Sequence, residues 1–281
     1  LGYNGLLPMG IVLLQITAFI YLIAAGSFFL YLFVVKESYT RLSPLILLAG
    51  FAVHSVALAA SFLQAGYPVL THPREALSFY SWLMVGVYLL VQLKYRLTVL
   101  GCFISPLAVL MALSALTFGA QAGDIPPGLR TYWLPIHVTL ALLGNAVFAL
   151  AFGVSVVYLF QENELKKKKV TVLQKHFSSL ESLDRLNYVF LVWGFPLMTL
   201  GIITGSLWAR VHWGDYWSWE PRQISSAITW FLYGALLHGR ITGGWRGKKA
   251  ALWTIVGFAV VLSYFLLGDF LFPGRHTGRF E

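Results

Sequence analysis

The sequence predicts an all-α, polytopic integral membrane bundle of about eight transmembrane helices, with both termini on the outer side. Three observations predict it. Of 281 residues, 58% are hydrophobic and 11% are charged, where a soluble domain carries about a quarter charged residues. The apolar residues fall in blocks long enough to cross a bilayer core of roughly 30 Å, which takes about 20 residues of helix. No block alternates with the period of a barrel strand, and a helical bundle is the other structure whose backbone is satisfied in lipid.

The blocks run over about 10–35, 43–64, 76–93, 97–119, 135–160, 187–208, 224–242 and 250–272. The first has no basic n-region before it and no obvious cleavage site, and its apolar run is long, so it reads as a spanning helix rather than a signal peptide. Lys36, Arg41, Lys94, Arg96, Lys166 to Lys169, Lys175, Arg185, Arg240, Arg246, Lys248 and Lys249 fall on one side of these spans. Arg74, Arg130, Arg210, Arg222, Arg275 and Arg279 fall on the other. The excess of Lys and Arg marks the first side as cytoplasmic, so loops near 65–75, 120–134 and 209–223 face outward. The inner loop 161–186 carries the run Lys166-Lys-Lys-Lys169. Its plain reading is a topology anchor beside anionic lipid; its sharper reading is a docking site for a cytosolic partner. With no internal repeat, linker or soluble domain, residues 1–281 read as a single membrane domain.

A net charge of +9 does not imply nucleic acid here. The charges sit in short loops, and no stretch is long enough to build a soluble basic face. The one cysteine, Cys102, excludes a disulfide framework, a CxxC redox pair and self-attachment of haem through CxxCH. In an apolar block it reads as a small core residue.

The chemistry concentrates in the outward loop 208–223, between the sixth and seventh spans. It reads Trp208-Ala-Arg-Val-His-Trp213-Gly-Asp-Tyr-Trp217-Ser-Trp219-Glu-Pro-Arg222, with four Trp within twelve residues. An interfacial aromatic belt scatters one or two rings per helix end, so this density points to a ligand. Trp offers a broad flat face and one N–H donor, and Trp208, Trp213, Tyr216, Trp217 and Trp219 together make a shelf for a planar apolar molecule. Gly214 lets backbone approach closely. Pro221 suits the first turn of the next helix. Arg210 and Arg222 suit carboxylates at a ligand's edge. Haem, a flat macrocycle with two propionates, fits both features; a quinone fits the shelf but has no need of the arginines.

The segment Trp213-Gly-Asp-Tyr-Trp-Ser-Trp-Glu-Pro-Arg222 closely resembles the tryptophan-rich signature WGxYWxWDPK of the CcsA/ResC, CcmC and CcmF haem-handling proteins, to which HemX-type proteins are similar. Ala227-Ile-Thr-Trp-Phe-Leu-Tyr-Gly-Ala-Leu-Leu-His238-Gly-Arg240 resembles the helix that follows it. Ala65-Gly-Tyr-Pro-Val-Leu and Glu75-Ala-Leu-Ser-Phe resemble an outer loop of the same family. The likeness covers most of residues 45–281. Glu220 stands for the family's Asp, keeping the charge on a longer arm. Gln223 stands where an acidic residue usually follows the basic one, so a carboxylate is lost.

Haem iron takes axial imidazoles. His137 opens the fifth span and His276 follows the eighth, both at the outer end. The resemblance implies that these two ligate an outer haem. His54, near the middle of the second span, and His238, toward the inner end of the seventh, match a second pair that the family places within the membrane. The plain reading of either is a neutral imidazole bonded to a neighbouring helix, although ionisable groups in a membrane are costly and often functional. His54 sits deeper in its span than His238, so pairing them requires helix tilt. His212 touches the motif and is placed to bond a propionate. His72 and His176 read as solvated, and Asp269 as an orienting or water-facing group.

The resemblance thus implies a haem-handling membrane protein of cytochrome c biogenesis, multi-pass in the bacterial inner membrane. It would bind haem b through the tryptophan loop, with Glu220, Arg210 and Arg222 at its edge, and present it to an apocytochrome c bearing CxxCH. It would act as part of a cytochrome c synthase with a CcsB/ResB-like membrane partner. Alternatives are a HemX-like regulator of haem biosynthesis acting on glutamyl-tRNA reductase, a b-type electron-transfer protein working with quinol, and a transporter with a pocket unrelated to haem.

Overall fold

The computed structural model describes residues 7–34, 37–65, 70, 72–118, 133–167 and 179–271. His276, His176, Lys36, Arg130, Lys168, Lys169, Lys175, Arg275, Arg279 and residues 66–69 lie outside them, as does the side chain of Asp269. The described residues form eight α-helices and no strand: α1 (Leu7–Phe33), α2 (Glu37–Ala65), α3 (Pro73–Tyr95), α4 (Thr98–Thr117), α5 (Trp133–Lys166), α6 (Leu180–Trp213), α7 (Pro221–Thr242) and α8 (Lys248–Leu271). Each carries one of the apolar blocks. Six of them, α1 to α6, are long and apolar enough to cross a membrane. The protein is a multi-pass helical membrane protein.

The helices outrun the apolar blocks where charge permits it. α5 continues through Glu162 and Glu164 to Lys166, whose ammonium meets Glu162 one turn back at 2.9 Å. α6 starts at Leu180 because Ser179 caps it, its hydroxyl accepting from the Ser182 N–H at 3.2 Å. Polar side chains on helix turns outside the bilayer cost nothing, so the apolar limits mark the membrane and not the helix. Pro44, Pro106 and Pro196 lie inside α2, α4 and α6; membrane helices tolerate such breaks in the hydrogen-bond ladder.

The chain falls into two compact units, Leu1–Pro135 and Ile136–Glu281. In the first, α1 packs on α2 and α4, and α3 on α4 and α2. Its core is aromatic. Phe28 meets Tyr88 edge-on, with ring centroids 5.9 Å apart, and a Cβ on Gly101 would come within 2.2 Å of the Phe28 ring. Cys102 is buried, its thiol directed at the Phe28 carbonyl, as a small core residue should be.

In the second unit, α7 packs on α8 and α6, and α5 and α6 share a seam of small residues. A Cβ on Gly144 would stand 2.9 Å from the Met198 amide, and one on Gly201 would stand 2.9 Å from the Ala141 Cα. Small residues let helix backbones touch, and dispersion then holds them in lipid, where no hydrophobic effect drives helices together. Phe148 of α5 stacks on Tyr233 of α7, centroids 3.8 Å apart, and lies across Gly194 of α6.

Candidate functional site

The tryptophan loop hangs between two well-formed helix ends. α6 stops at Trp213 because Gly214 takes φ 86°, and the Gly214 N–H caps the helix by donating to the Arg210 carbonyl. Such a left-handed residue after the last turn suits glycine, which has no Cβ to clash. α7 starts at Pro221, whose fixed φ and missing N–H suit the first helical position. Glu220 is the residue before it and makes no side-chain capping bond. Between them Trp219 takes φ 57°, a conformation that costs a side-chain-bearing residue about 1–2 kcal/mol.

Two side chains brace this turn. The Arg210 guanidinium donates to the Gly214 carbonyl and lies 5.5 Å over the Tyr216 ring. The Gln223 side-chain oxygen accepts from the Ser218 N–H at 2.8 Å and from the Ser218 hydroxyl at 3.2 Å. Gln223 was legible only as a departure from the family's acidic position. The signal that marks it is a Gln at the third position of a helix, which commonly reaches back to loop N–H groups.

The rings form two groups. Trp208 is 6% exposed; it stacks on His212 at 4.6 Å and meets Trp213 edge-on at 4.9 Å. Trp217 is half-buried and meets Trp219 edge-on at 5.9 Å. Trp219 and Tyr216 are exposed, at 74% and 56%. The indole Nε1 atoms of Trp208 and Trp217 are both buried and have no hydrogen-bond partner among the described residues. A buried donor without an acceptor costs about 1–3 kcal/mol, so both are suited to an incoming acceptor.

His137 lies in the same unit, on the first turns of α5. Its Nδ1 is 2.7 Å from the Gly201 carbonyl of α6, and a Cβ on Gly205 would fall 2.4 Å from its ring. A carbonyl can only accept, so Nδ1 carries the hydrogen and the Nε2 lone pair is left for a ligand. This is the arrangement that orients metal-binding imidazoles and raises their basicity. Arg222 stands within electrostatic reach of the same ring. The pair Gly201-Ile-Ile-Thr-Gly205 has the GxxxG spacing that favours close helix contact. That spacing is the sequence signal for the close approach that brings the His137 ring against Gly205 of α6.

The other histidines are placed differently. His54 is fully buried in the first unit. Its Nδ1 meets the Tyr21 hydroxyl at 3.2 Å and its Nε2 meets the Ser78 hydroxyl at 2.9 Å, so both nitrogens are taken. His238 is exposed on α7. His212, in the last turn of α6, bonds the Trp208 carbonyl through Nδ1 at 2.9 Å and braces that indole. His72 is not simply solvated: it caps α3 by accepting from the Arg74 N–H and contacts Glu75 at 3.3 Å. His276 lies outside the described residues.

Residues 69–276 match the family described as cytochrome C assembly protein. The chain is 31% identical over 242 residues to the cytochrome c biogenesis protein CcsA of Guillardia theta, covering 79% of this chain and 80% of that one. It is 31% identical over 283 residues to CcsA of Synechococcus elongatus, covering 83% and 87%. The solved structure of a cytochrome c heme lyase CcmF superposes with a TM-score of 0.67 at 16% identity, over 96% of this chain and 47% of that one. At that identity the likeness is one of fold, and this chain spans about half of that protein's length.

Proposed function

Because this chain belongs to the cytochrome c assembly protein family, we propose that it holds haem b at the tryptophan loop and presents it for attachment to an apocytochrome c. The observation that carries this reading is the His137 imidazole, fixed through Nδ1 to the Gly201 carbonyl beside that loop, with Nε2 left to bind iron. His276 is proposed as the second axial ligand. The membrane is proposed to be the bacterial inner membrane, with the loop on its outer side and a CcsB/ResB-like protein as partner.

The residues present fit haem. The buried indole N–H groups of Trp208 and Trp217 lack acceptors among the described residues, and a propionate supplies them. The exposed Tyr216 and Trp219 rings offer apolar area to the macrocycle. Arg222, near His137, offsets carboxylate charge there. Arg210 braces Gly214 and Tyr216, so its part is to shape the loop. Haem as cargo supplies two vinyl groups, and each takes up one cysteine thiol of CxxCH across its double bond, sulfur on one carbon and hydrogen on the other. No nucleophile or base of this chain is needed for that addition; its contribution is to position the reactants.

Purified protein tests the reading. It should show a low-spin bis-histidine haem spectrum that is lost in His137→Ala and recovered with added imidazole. An unchanged spectrum in that variant refutes His137 as ligand. Failure to mature a reporter cytochrome c, with a CcsB/ResB-like partner supplied, refutes the assembly role of the bound haem.

A further inference from the structure

We propose that Gln223 is a positioning residue for the tryptophan shelf: its side-chain oxygen pins Ser218 and thereby sets the Trp217 and Trp219 rings. The inference rests on the reading of the loop as a ligand seat and goes one step deeper into it.

The loop from Gly214 to Glu220 is short, and its rings stand on a backbone that is not at rest. Trp219 is in the left-handed region at φ 57°, where L residues with a Cβ crowd their own backbone. A conformation of that kind persists only where neighbouring contacts over-determine it. The residue before it, Ser218, gives both its backbone N–H and its hydroxyl to one atom, the Gln223 oxygen, at 2.8 and 3.2 Å. Ser218 lies between the edge-on pair Trp217 and Trp219. Fixing its peptide therefore fixes where both Cα–Cβ bonds point.

Gln223 is itself well anchored. It sits in the first turn of α7, two residues after Pro221, and its own carbonyl accepts from the Ser226 hydroxyl at 2.8 Å. It holds Ser218 through an acceptor atom. A carboxylate at this position accepts the same two donors and does so more strongly. It also carries a negative charge favourable at a helix N-terminus. A Gln here keeps the hold on the loop without adding charge to the site.

The test compares Gln223→Leu, which removes the acceptor at similar size, with Gln223→Glu, which keeps it. Three readouts are taken on the full chain in detergent or nanodiscs: hydrogen exchange of the peptide spanning 214–220 without haem, haem affinity by absorbance titration, and the thermal melt. In Gln223→Leu, exchange at Ser218 should rise and haem affinity should fall, each by about tenfold, the scale expected when the acceptor of two part-buried hydrogen bonds is lost. Gln223→Glu should restore both, with the melt of all three proteins alike. Exchange and affinity equal to wild type in Gln223→Leu overturn the proposal, and so does Gln223→Glu behaving like Leu. Should the wild-type protein take up no haem, the reading of the seat falls and exchange alone decides Gln223. Protection lost with Leu and kept with Glu then upholds the pin, and equal exchange removes it.

Discussion

The two ends of α7 are held in opposite ways. At its C-terminal end the Arg240 guanidinium meets the Asp184 carboxylate twice, at 3.1 and 3.0 Å, and the Asn187 amide oxygen at 3.3 Å. Its side chain is 5% exposed, and its plane lies 5.2 Å from the Tyr188 ring. Asp184 also takes the Gly247 N–H at 2.8 Å. Asn187 donates to Ser155 at 2.8 Å and Thr254 at 3.0 Å. Every helix of the second unit contributes to this knot, and its charges are matched. At the N-terminal end the indole donors of Trp208 and Trp217 are buried without acceptors among the described residues, two aromatic rings are exposed, and Trp219 takes a strained φ of 57°. The closed end is built for stability, since an unmatched buried charge there is costly. The open end leaves donors unmatched and ring faces exposed, which the proposed seat for a ligand requires.

Breaking the closed end should have the largest effect. Asp184→Ala leaves Arg240 buried without its carboxylate, and removal of one partner of a buried pair costs about 3–5 kcal/mol. A thermal melt or protease-resistance assay in detergent should show a marked loss. A melt like wild type would show that the knot carries no stability.

Gly205→Ala tests the link between helix packing and the seat. The new Cβ would meet the His137 ring at 2.4 Å, and overpacking of this kind costs about 1–3 kcal/mol. The gain in helix propensity, about 1 kcal/mol, offsets part of it. The melt should therefore fall only modestly, while the haem absorbance should drop because the imidazole turns away from its Gly201 acceptor. Full haem occupancy in this variant would separate His137 from the iron.

The smallest effect on stability belongs to Trp219→Ala. The ring is 74% exposed, and changes at exposed positions usually stay within about 0.5 kcal/mol. Haem affinity should nonetheless fall, as measured by titration. A stable variant with weakened haem binding sharpens the contrast between the two ends. A destabilised variant with unaltered binding would reverse it.

Much of the fold was legible because hydropathy alone dictates where a chain can span lipid. Each of the eight apolar blocks became a helix. The helix limits at Lys166 and Leu180 were not legible, because they depend on caps and pairs such as Glu162–Lys166 rather than on apolarity. The tryptophan loop stood out by density, but which of its groups are braces and which are free did not. Arg210, expected at a ligand's edge, is engaged with Gly214 and Tyr216. His54 reads in the sequence as a costly intramembrane imidazole, and in the structure it is satisfied on both nitrogens by Tyr21 and Ser78.

Composition and the order of residues by themselves determined that the chain is a helical membrane protein with an aromatic loop between α6 and α7, since burial of apolar length and local turn chemistry at Gly214 and Pro221 act over short stretches. Tertiary structure alone decided which nitrogen of His137 faces a carbonyl and which remains open. It also decided that Arg240 closes on Asp184 from across the sequence. Both depend on how separate helices approach one another. For His137 that approach is set where Gly144 and Gly201 bring the α5 and α6 backbones together, a contact that no single stretch of the chain contains.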